Sequence, residues 1–101
     1  MTKSFIARLR VRPEAAAEFE RLQAELKALV HAHEPDALVY EVLRSADDPT
    51  LYHVVATFRD EAAFDHHMSI DFHDRLVPPI LACLAQDMEL SFHTSLGEPA
   101  R

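Results

Sequence analysis

The sequence predicts an α+β domain in the order β-α-β-β-α-β, and three observations carry that prediction. Several segments alternate apolar and polar residues with the two-residue period of a strand. One long segment repeats its apolar residues at helical spacing. Prolines and acidic turns stand at the junctions between them. With 101 residues the chain has room for one core and one domain.

The first strand covers residues 3–12, where Phe5, Ala7, Leu9 and Val11 alternate with Ile6, Arg8, Arg10 and Arg12. Pro13 ends it and suits the first position of a helix, with Glu14 favourable to the dipole of the first turn. From there to His33, the apolar residues Phe19, Leu22, Leu26 and Leu29 mark the buried stripe. Glu34-Pro35-Asp36 closes the helix, because a residue before proline avoids helical geometry. Residues 37–45 form the second strand, with Leu38, Tyr40 and Val42 on one side. After the turn Ala46-Asp47-Asp48-Pro49, residues 51–58 form the third, so the two make a hairpin. A second helix runs from about Asp60 to Met68. Residues 71–85 look helical, but Pro78-Pro79 should break or kink that stretch. The last strand, residues 87–95, alternates Met88, Leu90 and Phe92 with Glu89, Ser91 and His93.

This order is the ferredoxin-like pattern, an antiparallel sheet with helices on one face. The domain is expected over residues 1–96, with 97–101 as a frayed tail. The opposite sheet face is partly apolar through Ile6, Val39, Leu43 and Val55, and 49% of the residues are hydrophobic. A second copy covering that face would account for both, so a homodimer is expected.

A formal net charge of −7 and the lack of a basic helix argue against nucleic acid as a partner. No apolar run approaches the roughly 18 residues of a membrane span, and the first residues lack a signal-peptide core. One cysteine, Cys83, excludes an internal disulfide framework and fits a reducing, cytoplasmic setting. It stands in an apolar stretch and is expected to be buried and inert. A single glycine, Gly97, leaves no glycine-rich phosphate loop. Arg8, Arg10 and Arg12 share one strand face, where they either hold an anion or pair with acidic neighbours, and pairing is favoured.

The stretch from Tyr52 to Met68 holds the chemistry. A strand closes on Phe58, and the helix that follows carries His67 about two turns in, over that strand. The phrases ALVYEVLRSADDPTLYHVVATFRDEAAFDHHM and FIARLRVRPE resemble the antibiotic biosynthesis monooxygenase family of dimeric α+β barrels. The carrying features are Tyr40-Glu41, the acidic turn ending in proline, Phe58, the acidic helix start Asp60-Glu61, and His67-Met68. The resemblance implies the fold, the dimer, and cofactor-free oxidation of a small aromatic hydroquinone or anthrone-like substrate by O2. His67 would be the base, Tyr40 would hold the substrate oxygen, and Phe58, Phe5, Phe64 and Leu38 would wall the pocket, with His73 in it or at its mouth.

Departures from the family matter. Ala56 replaces a glutamate common in the family, and the second histidine is shifted to His73. The chain has no asparagine or tryptophan, and Ala7 stands where the haem-degrading branch has its asparagine, which argues against haem degradation. No cofactor and no metal are expected: His67 and Asp71 have a usable spacing, but no third ligand has a defined place. A non-catalytic ligand-binding or stress-response dimer is the main rival, favoured by Ala56. An isomerase or lyase on a small carbonyl compound is the third option. A purely structural His67 would bond a backbone carbonyl or Asp71. The commoner role of a tyrosine placed like Tyr40 is plain core with its hydroxyl satisfied, and His66, pointing about 100° away, should be solvated.

Overall fold

The computed structural model describes residues 1–97, so the frayed tail expected for 98–101 lies outside the described residues. Strands β1 (Lys3–Arg10), β2 (Ala37–Arg44), β3 (Leu51–Phe58) and β4 (Glu89–His93) form one antiparallel sheet in the order β2-β3-β1-β4. Helix α1 (Ala16–His33), entered through the 3-10 turn Pro13–Ala15, links β1 to β2. Helices α2 (Glu61–Ser69) and α3 (Asp71–Leu81) link β3 to β4 and meet at Ile70, whose backbone is extended. This is the ferredoxin-like architecture, with its second helical segment in two pieces.

The alternation in β1 decides which face is buried: Phe5, Ala7 and Leu9 face the core beneath the helices, while Ile6, Arg8 and Arg10 face away. Tyr52, Val54, Ala56 and Phe58 of β3 do the same. The stripe of α1 runs through Phe19, Leu22, Gln23, Leu26 and Val30, and Leu29 is only half-buried. Asp60 caps α2 by accepting the Ala63 N–H at 2.8 Å, the charge and geometry a helix N-terminus prefers. The hairpin turn is held by Asp48, which accepts from the Thr50 N–H and hydroxyl and pairs with Arg10. These bonds hold its carboxyl at about 2, below the ordinary range. Arg8 pairs with Glu89 and Arg12 with Glu14, so the three arginines are occupied by acidic neighbours.

The break expected at the two prolines is not found. Pro78 and Pro79 neither break nor end α3 where they stand; the helix continues through them to Leu81. Proline removes the hydrogen bonds to the carbonyls of Asp74 and Arg75, but those residues, like both prolines, lie on the exposed side where water can serve the carbonyls. The buried stripe Phe72, Leu76 and Ile80 holds the helix down across them. The flanking boundaries also shift. β1 ends at Arg10, and Val11 makes only an isolated bridge to Leu84. β4 is shorter than residues 87–95 and exposed throughout, because it is an edge strand that the helices do not cover. Cys83 is buried as expected, and burial pushes its thiol up from the ordinary value.

Among the described residues no helix is long and apolar enough to cross a membrane. The sheet face opposite the helices carries Ile6 at 38% and Leu43 at 48% exposure, beside half-buried Val39 and Val55.

Candidate active site

Between the sheet and the helices lies a cavity of about 170 Å³, several times the space one water occupies. Phe5 and Tyr40 from the sheet, Phe64 and His67 from α2, and His73 from α3 all line it. Its rim is apolar and exposed: Met68, Leu81, Met88, Leu90 and Phe92. The rim exists because β4 continues the core face of β1, pairing Leu90 with Ala7 and Phe92 with Phe5, without a helix above it. Lys3 lies over the Phe92 ring at 4.5 Å, a cation at an aromatic wall.

His67 is 2% exposed, and its partner is neither a backbone carbonyl nor Asp71. It is Glu34, the capping residue at the end of α1, itself 4% exposed, whose carboxylate oxygens lie 3.0 and 3.2 Å from Nδ1. A carboxylate accepts, so the geometry suits donation from Nδ1–H, and in a neutral ring of that tautomer Nε2 is left as an acceptor. The carboxylate thus fixes the ring's tautomer and plane and offsets the charge that appears when the ring takes a proton. Sequence reasoning missed Glu34 by taking it as punctuation before Pro35. One signal was available: a carboxylate ending a helix opposes the dipole there and needs another reason to be present. Asp71 instead accepts from the Phe72 N–H at 2.7 Å. His66 is exposed.

His73 meets His67 edge to face, with ring centroids 4.7 Å apart. Its partial burial, with the neighbouring His67, lowers its pKa from the ordinary 6.5, against the opposing pull of Asp74 and Glu34. The fold therefore favours neutral His73. As pH falls below 6.5 the unfolded chain binds a proton that the folded one resists, so this part of the stability is held above that pH. It is lost as pH drops towards the folded-state value. A series of thermal melts from about pH 8 to 5 should fall less steeply for His73→Phe than for the wild type. Parallel curves would sink this account.

Tyr40 is buried 5.7 Å from His67, ring centre to ring centre. Burial, then the Glu34 carboxylate, push its phenol above the ordinary range, so it remains a donor and cannot act as a base. Its side chain lines the cavity. Two expected wall residues stand elsewhere. Phe58 is fully buried behind the cavity, stacked on Phe5 at 6.2 Å and set against His67 at 5.0 Å and Phe64 at 5.7 Å. It closes β3 beneath three lining side chains, so it supports the wall without forming it. Leu38 is buried but lies at a bulge in β2, between Ala37 and Val39, which turns it out of the lining. Phe5, Phe64, Tyr40, His67 and His73 are brought together around the cavity.

Residues 4–77 match the family model for antibiotic biosynthesis monooxygenases. The chain belongs to this family. Among solved structures, a Caulobacter crescentus protein named for the same family is 28% identical at a TM-score of 0.90, covering 95% of this chain and 91% of that one. An antibiotic biosynthesis monooxygenase structure is 30% identical at a TM-score of 0.85, with 96% and 100% covered. SnoaB from Streptomyces nogalater, a cofactor-independent oxygenase solved as a variant, shares the fold at a TM-score of 0.82 and 23% identity, with 99% and 98% covered. No curated protein matches the chain. Among the described residues no group of three or more His, Cys, Asp or Glu side chains is placed to hold a metal.

Proposed function

We propose that this family member is a monooxygenase that oxidises a small aromatic hydroquinone or anthrone-like substrate with O2 and no cofactor. The observation that carries it is the buried Glu34–His67 pair opening on an aromatic cavity. Nε2 of His67 takes the phenolic proton, and Tyr40 donates to the resulting oxyanion. The anion gives one electron to O2, and the two radicals combine to form a carbon–oxygen bond. His67 returns the proton to the peroxide, which loses water and leaves a carbonyl on the ring. One oxygen atom enters the substrate, the other leaves as water, and all four electrons come from the substrate. Apolar walls keep bulk water from the anion and the peroxide.

A homodimer closing over Ile6 and Leu43 belongs to the same proposal, and sedimentation velocity tests it: a monomer at micromolar concentration would sink it. Activity is tested by oxygen uptake of metal-free protein on naphthalene and anthracene hydroquinones. Uptake well above autoxidation supports the oxygenase. Ligand binding without uptake would instead support the non-catalytic dimer, and proton exchange or isomerisation without uptake would support the isomerase.

A further inference from the structure

Gln23 is the one polar residue on the buried stripe of α1. It is 4% exposed and borders the cavity, and its Oε1 has no hydrogen-bond partner. A buried carboxamide without a partner costs free energy that an apolar residue of similar size would not. Turning the amide over does not help, because it puts the unpaired position on the nitrogen instead. Gln23, Leu26, Val30 and Glu34 follow one another on a single helix face, at spacings of three, four and four. Glu34, at the C-terminal end of this row, is satisfied by His67. Gln23, eleven residues earlier and about 16 Å along the axis, is not. Gln23 and His67 both line the cavity of about 170 Å³, so a ligand filling it meets both.

We propose that Gln23 is a specificity residue that accepts a hydrogen bond from a second hydroxyl of the substrate, at the end remote from His67. The inference rests on the cavity being the aromatic site argued above, and it names the substrate class: fused aromatics bearing oxygen at both ends. A phenolic hydroxyl both donates and accepts, so it satisfies the carboxamide in either orientation. Gln23 also borders a shallow surface groove with Glu20, Lys27 and Arg44, from which a structural water could serve it instead.

Binding, read by ligand fluorescence, separates these possibilities with two probes, 2,6-dihydroxynaphthalene and 2-naphthol. Wild type should bind the diol about five- to tenfold more tightly, the worth of one added hydrogen bond. Gln23→Leu should abolish that preference by weakening the diol alone, while melting at or above the wild-type temperature because an unpaired amide is gone. Equal binding of both probes by wild type would overturn the role of Gln23 and leave the aromatic cavity standing. A lower melting temperature for Gln23→Leu with the diol preference intact would assign Gln23 to a structural water and overturn it too. No binding of either probe would overturn both this proposal and the aromatic site it rests on.

Discussion

Replacing His67 with alanine is expected to lower turnover of an aromatic hydroquinone by about 10²–10⁴-fold, the usual worth of a positioned base. The same change should cost stability, because it strands the Glu34 carboxylate among buried neighbours. Breaking a buried pair from one side typically costs about 3–5 kcal/mol, much of it the desolvated charge left behind. The two effects can be separated. Glu34→Ala made together with His67→Ala removes the stranded charge, so the double variant should be more stable than His67→Ala alone while remaining inactive. Oxygen uptake and urea unfolding on the four proteins of this cycle check both halves. Additive stabilities would mean that the 3.0 Å contact carries no coupling. Uptake in His67→Ala equal to wild type would remove the imidazole from the chemistry altogether. Glu34→Gln is informative beside them, since its amide oxygen can still accept from Nδ1–H but carries no charge. Stability near wild type with reduced turnover in that variant would place the carboxylate's contribution in the charged transition state.

What the sequence disclosed followed from local rules, and what it hid depended on distant contacts. Strand alternation assigned the inward residues of β1 correctly because a period of two leaves one face no choice. It could not say that the helices stop short of β4, so Leu90 and Phe92 emerged as an exposed rim rather than core. His67 stood out because an imidazole two turns into a helix over a strand has few directions to point. Its partner is 33 residues away in sequence, and no spacing rule reaches that far. Glu34 and Gln23 were each visible as faults in a pattern, one an acidic helix end and the other a polar residue on an apolar stripe. Gln23 borders the cavity and Glu34 bonds His67, which lines it. Phe58 was misplaced by a single layer: the sequence showed it was inward but not that Phe5 and Phe64 stand between it and the open space. The prolines of α3 were misjudged because the cost of proline depends on which face the orphaned carbonyls occupy, and that face is set by Phe72, Leu76 and Ile80 packing below.

Truncating Phe58 should be the most damaging core change near the site. Its ring is fully buried and touches Phe5, Phe64 and His67, so Phe58→Ala removes the support behind three cavity walls at once. Aromatic-to-alanine changes in cores cost about 3–5 kcal/mol, depending on how far the surroundings collapse. In a domain of this length that corresponds to a fall in melting temperature of at least about 12 °C. Collapse is limited here, because Phe5 and Phe64 already border the cavity rather than densely packed core. The new void should therefore join the existing cavity and stay apolar and dry, a space that takes up an aromatic guest. Saturating 2-naphthol should then raise the melting temperature of Phe58→Ala by more than it raises that of wild type, through binding to the folded state alone. Melts with and without the naphthol decide the matter. A loss under about 1 kcal/mol would show that the neighbours refill the gap and that Phe58 is replaceable filling. A large loss with no added rescue would show that the void and the cavity are separate, and that His67 and Phe64 seal one from the other.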